Sequence, residues 1–263
     1  MEKFKLILLK FEIIKIFLKV IYVFINKVKI TKYKFYWLHI INSYIFINFH
    51  PVRKISSFAE SYNIFTKFFS PKKGNVILDL GSGLGHEMVI LSKKVGPKGK
   101  VICLEPDSRL FLVLQELVIL NKLKNVILYK KLFYHKNNEL VPFYENPLEN
   151  WMSNSLFKPD KKNRKHLVET ITLDEIIKSN QLSHIDFAKF NIEGSEKYLA
   201  RGNVIFLNKC KNIAISCHDF LDIKNKNTFD IIMKLLRKNE FIIKKNNSNN
   251  RILKFIIYAN KNI

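Results

Sequence analysis

The stretch "NVILDLGSGLGHE", Asn75 to Glu87, constrains this chain more than any other. Strand-forming residues run up to an aspartate and straight into three glycines spaced two apart. A glycine turn between a buried strand and a helix leaves no Cβ between backbone and ligand, and it aims the helix N-terminus at an anionic group. A chain with such a turn is expected to be α/β, with the turn at the carboxyl edge of a parallel sheet.

The residues that follow fit that expectation. A helix is expected from about Gly85 to Val95, then "GPKGK" turns the chain into a second strand, "VICLEP". A helix from about Ser108 to Leu120 and a third strand, "NVILYK" (125–130), complete a βαβαβ order, which implies parallel strands with right-handed crossovers. The polar stretch 131–163 holds one short strand at Leu140 to Tyr144, and "HLVETITL" (166–173) comes next. Beyond it are a short helix after Asp174, the strand "IDFAKF" (185–190), a helix from about Ser195 and the strand "NIAISC" (212–217). The tail reads as a helix over 228–238 and two strands, "FIIKK" and "ILKFIIYA", forming an antiparallel hairpin at a sheet edge.

The ligand can be narrowed from the turn itself. Dinucleotide sites use G-x-G-x-x-G or A, and here the sixth position is His86; no Gly-Lys-Ser/Thr follows, so a phosphate loop fails too. The pattern that fits is D-x-G-x-G-x-G, with Asp79, Gly81, Gly83 and Gly85. Backbone amides there suit a carboxylate, and Asp79 an amino group. Twenty residues past Gly85, at the end of the second strand, stands Glu105, placed to accept both hydroxyls of a ribose. Amino acid, ribose and adenine together describe S-adenosylmethionine. The expected cofactor-binding residues are Asp79, Gly81, Ser82, Gly83, Gly85, Glu105 and Pro106.

On these residues the chain resembles the FkbM-type S-adenosylmethionine-dependent methyltransferases over roughly 70–220. The resemblance is carried by "VILDLGSGLGHE", "GPKGKVICLEPD", "VETITLDEII" and, most specifically, "IDFAKFNIEGSEKYLARG" (185–202); "NWMSNSL" (150–156) is similar to a serine-containing segment of the family. It implies a Rossmann-like class I methyltransferase sheet of seven strands with an antiparallel C-terminal strand. It also implies O-methylation of a hydroxyl, on a sugar or secondary metabolite. The chain departs from the pattern at Asn191, where the family has an aspartate that could serve as base or metal ligand. No metal-ligand spacing is visible.

Methyl transfer from a sulfonium is an in-line displacement that neutralises the donor, so positioning should dominate, and a general base adds roughly 10²- to 10⁴-fold. The candidates lie after the fourth and fifth strands. Glu193 is expected to orient cofactor or acceptor, and His218 is the base candidate by its ordinary pKa. Glu196 reads as a helix-start acid, Asp219 accompanies His218, and His86 belongs to a helix first turn beside the glycines. Trp151, Ser153 and Asn154 are candidate pocket residues, and Lys189 either matches the family's lysine in position or is a strand residue whose head snorkels to solvent.

The first fifty residues differ in texture, with nine lysines against Glu2 and Glu12. On a helix Lys5, Glu12, Lys15, Lys19, Asn26 and Lys29 share a face, so a basic, amphipathic helical extension is expected over residues 1–70, ahead of a methyltransferase domain at 71–263. Two uses of it stand open: peripheral contact with an anionic membrane through residues 1–50, or packing on the domain or on a second copy. Lysines interrupt each apolar run, and the uncharged stretch Phe35–Val52 carries His39, Asn42 and Pro51, so a spanning helix is a poor reading. No small-residue cleavage site marks a signal peptide. Three scattered cysteines suggest a reducing, cytoplasmic setting.

The net charge of +23 admits nucleic acid, membrane or general surface charge. It is carried by lysine far more than by arginine, and no RNA-binding module or amine-methylating N/D-P-P-Y/F tetrapeptide is present, so nucleic acid is the least favoured partner. The expected partner is a small-molecule or glycan acceptor, lipid-linked ones included. An RNA methyltransferase, or a non-catalytic membrane-associated protein that keeps the cofactor fold, are the alternatives.

Overall fold

The computed structural model describes residues 28–51, 56–145, 164–219, 227–250 and 252–262. Two compact units divide the chain at residues 1–55 and 56–263.

Within the first unit, β1 (Lys29–Tyr33), β2 (Tyr36–Ile41) and β3 (Tyr44–Asn48) form an antiparallel meander. This corrects the expected helix at its described end: Lys29, the last member of the lysine stripe, lies in a strand, and the uncharged run from Phe35 is two strands and a turn. Aromatic and β-branched residues dominate the run, and the two-residue connections start on Lys34 and Asn42 with φ of 52° and 55°, which the reversal of a tight hairpin requires. The rest of the stripe, Lys5 to Asn26, and the membrane contact argued from it lie outside the described residues. Among the described residues no helix is long and apolar enough to cross a membrane.

The second unit begins with α1 (Ser57–Phe65). Its sheet has seven strands: β4 (Val76–Leu80), β5 (Lys100–Leu104), β6 (Val126–Tyr129), β10 (Phe187–Phe190), β11 (Asn212–Ser216), β12 (Ile242–Lys244) and β13 (Ile256–Asn260). Their order is β12-β13-β11-β10-β4-β5-β6, parallel except that β13 runs antiparallel to both its neighbours. The hairpin expected at the C-terminal edge is therefore present. Helices α2 (His86–Val95), α3 (Ser108–Leu120), α4 (Leu173–Ser179), α5 (Val204–Lys209) and α6 (Thr228–Lys238) connect the strands. A smaller sheet joins β7 (Leu132–Phe133), β9 (Arg164–Ile171) and β8 (Leu140–Glu145) in that order.

The central strands are apolar on both faces, as strands covered on both sides must be. Ile77, Leu78, Ile102, Ala188, Phe190 and Ile215 are all buried. The chain order reverses at β4, which has β5 on one side and β10 on the other. Such a switch point opens a crevice at the carboxyl ends of the strands, where α/β ligands bind. Helix α1 belongs to this unit: its Phe58 ring meets His86 edge-on at 4.9 Å, and its Ser61 hydroxyl donates to Glu87.

Candidate active site

The turn after β4 is shaped by the chain's own packing. Gly81, Gly83 and Gly85 have φ of 75°, 55° and 71°, the left-handed region that side chains disfavour. A Cβ on Gly81 would stand 2.1 Å from the Asn191 carbonyl oxygen, and one on Gly85 2.5 Å from Leu114 of α3. Close approach of the chain leaving β10 therefore demands the first glycine, and α3 demands the third. Gly81 and Gly83 face a cavity; Gly85 lies behind them. Ser82 also points inward, its hydroxyl donating to the Asp79 carbonyl at 2.9 Å.

Glu105 stands at the end of β5 on the cavity wall. Its Oε2 accepts the Gly83 N–H at 2.8 Å and its Oε1 the Asp107 N–H at 3.0 Å. Burial pushes its pKa up to about 7, against the pull of those two donors. Each oxygen accepts one of these bonds and keeps further lone-pair capacity, which a vicinal diol would use.

Behind the turn lies a cluster that sequence reasoning missed. Lys189 is 2% exposed, which rules out the reading of a head that snorkels to solvent. It sits opposite Asp79 in the β10–β4 register, its Nζ 2.9 Å from Asp79 Oδ1 and 3.7 Å from Glu87 Oε1, and it donates to the Gly81 carbonyl at 2.8 Å. Burial would lower the lysine's pKa, but Asp79 and then Glu87 outweigh it and raise it to about 12. Burial raises the Asp79 carboxyl against the pull of Lys189. Burial opposes the Glu87 charge as well, yet Lys189 and the Ser61 hydroxyl hold its pKa below the usual range. Asp79 is thus committed to Lys189 and does not line the cavity.

The third group follows β10 and β11. Glu193 and Gly194 both take positive φ, 50° and 98°, reversing the chain into a 3-10 helix over Ser195–Ala200. His218 is buried between two carboxylates: its Nδ1 is 2.6 Å from Glu196 Oε1 and its Nε2 3.3 Å from Glu193 Oε1. Burial works against its charge, but Glu196 and Glu193 prevail and push the pKa up to about 10. The ordinary pKa on which its choice as base rested does not hold between two carboxylates, which favour the imidazolium form. Glu196, read as a helix-start acid, is fully buried against it.

These groups converge on one cavity of about 450 Å³. Gly81, Gly83, Glu105, Pro106, Asn191, Glu193 and His218 all line it, with Leu104, Leu110, Phe133 and Phe143 as apolar surface. Several other candidates fall elsewhere. Asp219 caps α6, accepting the Thr228 and Phe229 N–H groups at 3.0 and 2.7 Å, and His86 packs on Phe58. Trp151, Ser153 and Asn154 lie outside the described residues.

A strand order reversing at β4, an antiparallel β13 and a strand-end carboxylate beside a glycine turn define a Rossmann-like S-adenosylmethionine-dependent methyltransferase. The family model "Methyltransferase FkbM domain" matches residues 79–243, more than half of the chain, and the chain belongs to that family. Among solved structures it is similar to a methyltransferase FkbM from Methylobacillus flagellatus KT, with 15% identity and a TM-score of 0.50 over 74% of this chain; it spans 45% of that chain. A SAM-dependent methyltransferase from Aquifex aeolicus gives 19% identity and a TM-score of 0.40, covering 76% of this chain and 92% of that one. An Aeropyrum pernix fibrillarin with natively bound S-adenosyl-L-methionine gives 14% and 0.45, covering 88% and 98%. No curated protein matches.

The cavity residues fit the cofactor. Glu105 has two acceptor oxygens that would suit ribose hydroxyls, Gly81 and Gly83 leave the backbone bare, and Leu104, Pro106 and Leu110 form an apolar surface that would suit adenine.

Proposed function

We propose that the chain methylates a hydroxyl oxygen on a small molecule or glycan, with Glu193 taking the proton. The observation that carries this reading is the Glu193–His218 pair on the cavity wall, at 3.3 Å. When bound, S-adenosylmethionine supplies a methyl group on a sulfonium, a strong electrophile that needs an aligned nucleophile. Everything else falls to the protein. Glu196 keeps the imidazolium in place, His218 orients the Glu193 carboxylate, and Glu193 accepts a hydrogen bond from the acceptor hydroxyl and then its proton. A charged His218 cannot be the base. Apolar residues such as Phe133 and Phe143 keep water from competing for the methyl group.

A panel of hydroxylated acceptors and amines of matching shape tests this, with methyl incorporation read by mass spectrometry. Transfer to hydroxyls alone, slowed by at least ~100-fold in kcat in Glu193→Gln, is the expected result. Transfer to amines, or an unslowed Glu193→Gln, refutes it.

A further inference from the structure

In a chain of net charge +23, the cofactor cavity is acidic. Glu105 and Glu193 stand on its wall, and Asp79 and Glu87 lie directly behind the glycine turn. Glu196 is buried behind His218. Against these five carboxylates stand two cations, Lys189 and His218, while the wall's Lys131 is already paired with Glu169 at 2.6 Å. Lys189 is shared between two carboxylates and the Gly81 carbonyl, so its single charge cannot neutralise both. Protonating any one of the five still leaves the negative charges in excess.

We infer that this buried negative excess selects the cationic methyl donor over its neutral product, with Glu87 as a specificity-determining residue that never touches the ligand. The donor carries a sulfonium and the product a thioether; otherwise the two present the same groups to the wall. A field that attracts a cation in a cavity backed by buried carboxylates therefore strengthens binding of one and leaves the other nearly unchanged. Methyl transfer removes the attraction at the moment the product forms, and release of S-adenosylhomocysteine is eased. Ser61 extends the cluster to the cavity surface, since it lines the wall and donates to Glu87. The inference rests on the cofactor site and not on the identity of the acceptor.

Calorimetric binding of three ligands tests it: S-adenosylmethionine, S-adenosylhomocysteine, and sinefungin, which carries an ammonium where the donor has its sulfonium. On the wild-type protein both cationic ligands should bind tighter than S-adenosylhomocysteine, by about tenfold. Glu87→Gln keeps an acceptor for the Ser61 hydroxyl and removes one charge; it should narrow that ratio about threefold or more and leave S-adenosylhomocysteine within about twofold. If the variant does not fold, the wild-type order decides alone. S-adenosylhomocysteine binding as tightly as the cationic ligands, or a variant that weakens all three alike, overturns the inference. Failure of all three to bind would remove the cofactor site itself.

Discussion

Replacing Lys189 by methionine should be among the most damaging single changes in this protein, and for an electrostatic reason. The side chain is 2% exposed, and its ammonium lies 2.9 Å from Asp79 and 3.7 Å from Glu87. Methionine fills much of the same space, so little cavity is created, but two buried carboxylates lose their cation. Breaking a buried ion pair from one side costs about 3–5 kcal/mol, a large part of the roughly 5–15 kcal/mol that holds a domain together. The pH dependence gives the reason away. Without Lys189, Asp79 and Glu87 bind protons more readily in the folded protein than in the unfolded chain, so the folded state holds more protons and stability falls as pH rises. Urea unfolding at about pH 7 and about pH 5 should therefore show the gap to wild type shrinking on acidification. Adding Asp79→Asn to the variant should recover part of the loss. A loss below ~1 kcal/mol, or a gap that widens in acid, refutes the reasoning.

Two further predictions come from the same edge of the sheet. Gly81→Ala should destabilise by at least ~3 kcal/mol, because its Cβ meets the Asn191 carbonyl at 2.1 Å, whereas Gly74→Ala, also at positive φ but with nothing within 4 Å, should cost only about 1–2 kcal/mol; thermal melts of the pair check this. Glu196→Gln should bring the His218 titration, followed by imidazole NMR, down from about 10 towards ~6.5, and an unmoved titration would show that Glu196 does not hold the proton there.

Much of this architecture is local in the chain and could be read from it. The buried run 76–80, the glycine turn and α2 are contiguous, and α3 and α6 fall where their apolar period places them, at Ser108–Leu120 and Thr228–Lys238. Glu105 was legible because its distance from the glycines is set by one helix and one turn. Lys189 was not, since its partners lie more than a hundred residues away; the usable signal was a lysine inside a run of buried residues, aligned in register with an aspartate in the neighbouring strand. His218 was legible as a residue at the carboxyl edge, but its raised pKa was not, because a side chain's ordinary pKa says nothing of two carboxylates that meet it only after folding. The helical spacing was counted from Lys5 to Lys29 and carried on by extension; in residues 29–48 β-branched and aromatic side chains with two-residue turns favour the meander that forms.

The most direct test of the site is a calorimetric titration with S-adenosylhomocysteine of wild type and of Glu105→Gln, repeated from about pH 6 to about pH 8. Burial raises the Glu105 pKa to about 7, and the carboxylate is the form that accepts the ribose hydroxyls, so wild-type affinity should strengthen as pH rises through that range. In Glu105→Gln affinity should be about tenfold weaker and independent of pH over the same range. Equal binding by the two proteins at every pH would contradict the placement of the cofactor at Glu105.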